Sequence, residues 1–218
     1  MPLLDLKALK AAPLAREPFM YTVVERALSG ADAAGVLDDF PAIVDPGLLP
    51  VEATQPGARF RAFIDELRSD RVARAFSEKF DVDLVGRPMM ITARGRCAKR
   101  DGRIHTDSET KLVTVLIYFN ERWEALGGRL RLLRSPTDLN DVIAEVPPDL
   151  GTLVAFRRAE NSYHGHEPFE GVRRYVMVNW MTSGFAARKE LLRHQASAQV
   201  KRALSALRGA STKAPADA

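Results

Sequence analysis

The chain has 218 residues with 46% hydrophobic and 28% charged side chains, a balance that suits one soluble domain with a substantial core. No apolar run reaches membrane-spanning length, and the single cysteine, Cys97, excludes an internal disulfide framework. The net charge of +4 resides in residues 188–218, where seven Lys and Arg face two acids, so it reads as a solvated helix face and not as a nucleic-acid footprint.

Asp5, Lys7 and Lys10 interrupt the N-terminal segment, which therefore lacks the continuous apolar stretch of a signal peptide. With one thiol in the chain, a cytoplasmic location is expected. A weak helix is predicted around Leu3 to Leu14, then a first strand over Phe19 to Leu28, where aromatic and β-branched residues concentrate. Asp32 is placed to cap a short helix running to Phe40. Four prolines and two glycines make residues 41–58 a long loop. Apolar residues from Phe60 to Phe80 recur at helical spacing, which predicts one helix or two lying on a sheet.

Short strands are predicted over Met89 to Arg96, Leu112 to Asn120, Gly128 to Leu133, Gly151 to Arg157 and Arg173 to Met181. Ser135 to Asp149 is polar and carries three prolines, so it reads as an inter-strand loop. Beyond Gly184 the pattern is helical again, with Leu192, Val200, Leu204 and Leu207 near one face. That face is a candidate homodimer surface. Residues 209–218 read as a disordered tail, leaving residues 1–208 as a single domain with its strand-rich core at about 89–181.

The chemistry concentrates between His105 and Arg174. In an extended chain His105 and Asp107 project to one face, offering an imidazole nitrogen and a carboxylate oxygen side by side. A second histidine from another strand would complete a two-His, one-carboxylate triad, the usual cage for a non-haem Fe(II) with open positions. On the last predicted strand, Arg173, Tyr175, Met177 and Asn179 share one face, while Arg174, Val176, Val178 and Trp180 share the other. The second face looks like packing, so the first is expected to face a pocket.

Taken together, HTD at 105–107, IYFN at 117–120 with Trp123, GGRLRL at 127–132, SYHGHEPF at 162–169 and RRYVMVNW at 173–180 resemble the 2-oxoglutarate/Fe(II) dioxygenase superfamily, in particular its prolyl 4-hydroxylase-like branch. The resemblance covers about Met89 to Met181. It implies an α+β, mainly β fold: a double-stranded β-helix, or jelly roll, with N-terminal helices packed on one sheet and a C-terminal helix. It implies His105, Asp107 and His164 as iron ligands, and a basic residue of the last strand as the anchor for 2-oxoglutarate. Arg173, nine residues after His164, is the first choice, and Arg174 the alternative that a one-residue bulge would select. Tyr118 occupies the place where relatives offer a phenol to the same carboxylate, and Asn179 is a further candidate contact.

His166 shares the parity of His164 and reads as a rim contact or a solvated residue, and His194 as structural. The implied cofactors are Fe(II), 2-oxoglutarate and O2, with ascorbate as an accessory reductant. The implied reaction is oxidative decarboxylation of 2-oxoglutarate coupled to hydroxylation of a C–H bond, with peptidyl proline favoured. The expected partner is a protein, peptide or small-molecule substrate, with neither membrane nor nucleic acid. Two rivals are a nucleic-acid demethylase, whose phosphate contacts would come from Arg94, Arg96, Lys99, Arg100 and Arg103, and a non-catalytic metal-binding jelly roll.

Overall fold

The computed structural model describes residues 2–192. In chain order the elements are α1 (Leu6–Ala11), β1 (Tyr21–Val24), α2 (Gly30–Asp38), β2 (Leu49–Pro50), a 3-10 turn (Val51–Ala53), α3 (Ala58–Leu67), α4 (Asp70–Phe80), β3 (Met89–Cys97) and β4 (Lys111–Tyr118). They continue with β5 (Leu130–Leu133), β6 (Val142–Val146), β7 (Leu153–Arg157), β8 (Tyr163–Gly165) and β9 (Gly171–Met181). Residues 184–192 are helical. The rest of the anticipated C-terminal helix, with Val200, Leu204, Leu207 and His194, and the 209–218 tail lie outside the described residues.

The strands form a six-stranded sheet in the order β1-β7-β4-β9-β3-β2 and a three-stranded sheet in the order β6-β5-β8, with every strand pair antiparallel. This is the jelly roll expected from the motifs. Side-chain alternation divides the large sheet. Val113, Val115 and Ile117 of β4, and Val176, Val178 and Trp180 of β9, join Phe60, Phe63, Ile64, Leu67, Val72, Phe76 and Phe80 in one buried cluster under the helices. Phe76 meets Trp180 with ring centroids 5.2 Å apart. Each such aromatic contributes about 1.5–3 kcal/mol by leaving water. The opposite face supplies Leu116 and Tyr118 of β4 and Tyr175 and Met177 of β9, which pack with Leu130, Leu132 and Val146 of the small sheet. The space between the sheets therefore opens toward the β9 face that carries Arg173.

The helical segment over 60–80 is two helices, because Ser69 ends one and caps the next: its hydroxyl accepts from the Val72 N–H at the start of α4. Several expectations need correction. Ser29, not Asp32, is the cap of α2; its Oγ accepts from the Asp32 N–H at 3.2 Å and donates to the Asp32 carboxylate at 2.6 Å. The first strand is only Tyr21–Val24, since Phe19 already packs between the sheets and residues 25–27 turn. The polar 135–149 segment contains β6, which pairs with β5 through Leu130↔Val146. As an edge strand, β6 buries only Val146, so its sequence carries little apolar alternation.

Candidate active site

His105 and Asp107 are not in a regular strand. His105 makes one antiparallel bridge to His164 of β8, and the two residues exchange both backbone hydrogen bonds, each 3.0 Å. That bridge brings positions 59 apart in the sequence into direct opposition, with ring centroids 4.3 Å apart. One donor atom each from His105, Asp107 and His164 lies within 4.8 Å of the others, close enough to share an ion.

The tautomers are set by the backbone. His105 Nδ1 lies 2.9 Å from the Arg103 carbonyl and His164 Nδ1 3.0 Å from the Ser162 carbonyl. A carbonyl only accepts, so each Nδ1 carries a proton, which leaves Nε2 as the nitrogen that can ligate a metal. Burial, reinforced by the neighbouring His105, pushes the His164 pKa down to about 4 against the pull of Asp107. Asp107 is held at about 2: burial pushes it up, but the Lys111 ammonium, His164 and two hydrogen bonds outweigh that. Lys111 Nζ lies 2.5 Å from Asp107 Oδ1, and Thr114 Oγ1 lies 2.5 Å from Oδ2. Two imidazoles able to ligate through Nε2 and one ionised carboxylate, with no fourth protein donor in the cluster, fit Fe(II) with open positions.

These residues line a cavity of about 380 Å³ that also receives Arg173, Tyr175, Met177, Arg94, Asp101 and His166. Arg173 is 2% exposed. Its Nε donates to the Gly128 carbonyl at 2.7 Å, and its Nη2 lies 3.4 Å from the Tyr118 hydroxyl. No acid among the described residues forms an ion pair with it. A buried guanidinium is costly without an anion, so the cavity is built to receive one. Gly128 adopts φ +79°, where a side chain is strained and would press on Trp123 and Phe169, so glycine is what lets its carbonyl reach Arg173. Tyr118 is fully buried behind Arg173, and burial pushes its pKa up to about 12, so the phenol keeps its proton.

The structure separates the remaining candidates. Arg174 lines a different cavity, with Arg96, Val172 and Trp123: the β3–β9 register shifts between Tyr175 and Val172, yet Arg173 stays on the Tyr175 side and Arg174 on the Val172 side. As a cosubstrate contact it is thereby displaced. Asn179 does not line the cavity; its amide lies 2.9 Å from Thr114 Oγ1. The Thr114 hydroxyl donates to the Asp107 carboxylate, which only accepts. Asn179 turns its Oδ1 to the same Thr114 hydroxyl as a second acceptor, while its buried Nδ2 has no partner among the described residues. Asn179 thus supports Asp107 through Thr114 and is not itself a cosubstrate contact. His166 is a cavity residue, not a solvated one: it is 7% exposed, and its ring packs against Gly102, where a Cβ would come within 2.4 Å. Burial and the charge of Arg173 push its pKa down to about 4.

Lys111, Thr114, Arg94 and Asp101 were missed as site residues. Thr114 shares the parity of Tyr118 and could have been found on that ground. Lys111 has the opposite parity, and only the pairing irregularity between Lys111 and Val113 lets both reach Asp107. A second irregularity, between Arg94 and Arg96, sends Arg94 into the active cavity and Arg96 into the other one. The five basic residues of the phosphate-binding rival therefore do not form one surface.

A jelly roll with a two-His, one-carboxylate cluster and an inner guanidinium defines a class, the non-haem iron oxygenases that use a dicarboxylic cosubstrate. Residues 95–182 match the family model of the 2OG-Fe(II) oxygenase superfamily, which supports a 2-oxoglutarate- and Fe(II)-dependent dioxygenase. Among curated proteins no sequence match is found. The fold is similar to that of a Pseudomonas putida prolyl-4-hydroxylase (16% identity, 82% of this chain and 97% of that one, TM-score 0.55). It is also similar to a viral collagen prolyl hydroxylase from Paramecium bursaria Chlorella virus-1, solved with 2OG (15%, 75% and 95%, 0.52). A third similar structure is a Trichoplax adhaerens prolyl hydroxylase in complex with a hypoxia inducible factor peptide fragment (14%, 87% and 90%, 0.52).

Proposed function

We propose that His105, Asp107 and His164 hold the catalytic Fe(II), that Arg173 binds the far carboxylate of 2-oxoglutarate, and that the substrate is a peptidyl proline. One observation carries the reading: three metal-competent side chains and one buried guanidinium without an acid partner share a single cavity. When bound, Fe(II) with 2-oxoglutarate and O2 supplies oxidative decarboxylation to succinate and CO2 coupled to hydroxylation of a C–H bond.

The chain's own groups prepare that chemistry. Backbone carbonyls hold the Nδ1 protons of His105 and His164, which leaves the Nε2 atom of each to ligate the metal. Lys111 and Thr114 keep Asp107 ionised and fix its two oxygens. Arg173, pinned by the Gly128 carbonyl, directs its guanidinium edge at a carboxylate, and burial strengthens that attraction by excluding water. Tyr118, protonated at any physiological pH, is an uncharged donor beside the same group. His105 is exposed, so a substrate approaches from that side of the cavity. The proline assignment draws support from the fold shared with three prolyl hydroxylases, one of them solved with a peptide.

The test is succinate release with Fe(II) and 2-oxoglutarate in the presence of proline-containing peptides, read alongside peptide mass. A hydroxylated proline supports the assignment. Turnover stimulated only by non-peptide substrates removes proline but keeps the oxygenase chemistry. Wild-type turnover by Arg173→Ala or His164→Ala would overturn the site assignment.

A further inference from the structure

The cavity holds more cationic side chains than the anchor reading uses. Arg94, from β3, is 9% exposed and lines the same space as Arg173. Both guanidiniums lie over the Tyr175 ring, at 5.8 Å for Arg94 and 5.1 Å for Arg173. They are close enough for the charge of Arg94 to act on Arg173. The hydrogen bonds of Arg94 run through Nη1, which pairs with the Asp101 carboxylate and lies 3.4 Å from Cys97 Sγ; its buried Nε has no partner. A guanidinium offers five donors, and this one spends few of them on the protein.

The charges do not cancel. Lys111 is matched by Asp107 and Arg94 by Asp101, while Arg173 has no acid partner among the described residues. The inner cluster of Arg173, Arg94 and Asp101 is therefore one positive charge in excess, the complement of one carboxylate. Two buried guanidiniums repel, and an anion bound beside them relieves that repulsion.

We infer that Arg94 is a second, specificity-determining cation of the cosubstrate pocket, whose pull on the far carboxylate of a dicarboxylic acid is set by how strongly Asp101 engages it. The inference rests on Arg173 being the anchor. Its competitor is a structural staple: Asp101 also accepts from the Ala98 N–H at 3.0 Å, and His166 N–H donates to the Gly102 carbonyl at 2.9 Å, so the same ion pair could merely fasten the 98–102 loop.

Two isosteric or near-isosteric variants separate the alternatives, because they move a charge effect in opposite directions and a staple in the same direction. Arg94→Gln removes the cation. Asp101→Asn removes its counter-charge yet keeps an oxygen for the Ala98 N–H. Calorimetric titration of the metal-free full chain with 2-oxoglutarate and with succinate should give about tenfold weaker binding for Arg94→Gln and several-fold tighter binding, on the order of three- to tenfold, for Asp101→Asn. Equal weakening by both variants, or wild-type affinity in Asp101→Asn, overturns the inference. Should Arg94→Gln not fold, Asp101→Asn decides alone. Arg173→Gln is titrated in parallel: loss of binding there with no response at positions 94 and 101 leaves the anchor standing and rejects only this proposal, whereas unchanged binding in Arg173→Gln rejects the anchor itself.

Discussion

The ammonium of Lys111 lies 2.5 Å from Oδ1 of Asp107, with both side chains buried in the candidate metal site. The pair keeps the carboxylate ionised, yet it also places a positive charge where a dication is to bind. Lys111→Met is expected to tighten binding of Mn(II) or Fe(II) by about threefold or more, since Thr114 still holds Asp107 and the repulsion is gone. Thr114→Val should do the reverse, weakening the metal about tenfold or more by freeing the carboxylate to rotate. Metal titrations of the two variants check the signs; changes in one common direction would reject this division of roles.

Replacing a proposed ligand should be far more severe. His105→Ala, Asp107→Ala and His164→Ala are each expected to abolish iron binding and turnover. Circular dichroism should stay that of the parent for His105→Ala, because the His105 side chain is exposed and its bridge to His164 is made by backbone atoms.

Arg173→Ala should raise the 2-oxoglutarate requirement strongly, by about 30-fold or more, while leaving metal affinity nearly intact; truncating one partner of a buried charge pair typically costs about 2–5 kcal/mol. Arg174→Ala, on the opposite face of β9, should leave the requirement unchanged. Steady-state kinetics in 2-oxoglutarate, combined with metal titration, distinguish the two arginines.

Stability should depend on pH through the buried histidines. His164 and His166 both sit at about 4, well below the ordinary 6.5, chiefly because burial disfavours the charged ring. Between those values the unfolded chain takes up protons that the folded chain refuses, so their contribution is complete above about 6.5 and is lost as the pH falls toward 4. The Tm of metal-free protein is expected to fall across that interval, and His166→Gln should flatten part of the slope. A Tm independent of pH from 7 to 4.5 would contradict the burial argument.

The helix layer offers a separate check on the fold. Phe76 is fully buried against Trp180, so Phe76→Ala should cost about 3–5 kcal/mol in chemical denaturation. Retention of residual metal binding in the folded fraction would show that the site depends on the sheets and not on this helix face.

Much of this was legible before any coordinates. The spacing of His105, Asp107 and His164, and the alternation along β9, already pointed to one pocket with Arg173 inside it. Helical periodicity over 60–80 marked the layer that covers the large sheet, though Ser69 had to be seen as a cap before two helices could be distinguished. The segment holding β6 escaped because an edge strand needs little apolar alternation, and Ser29 escaped because Asp32 offered an equally acceptable capping side chain.

The sequence by itself determined the donors: which side chains can ligate a metal, which can bind a carboxylate, and on which face of the last strand they stand. Those properties are covalent or follow from the two-residue period of an extended chain. Only the tertiary structure decided that Lys111 joins Asp107, that Arg94 parts company with Arg96, and that Asn179 acts through Thr114. Each of these depends on a pairing irregularity or a cross-strand contact, and such features arise from how one strand meets another, not from the order of residues within either.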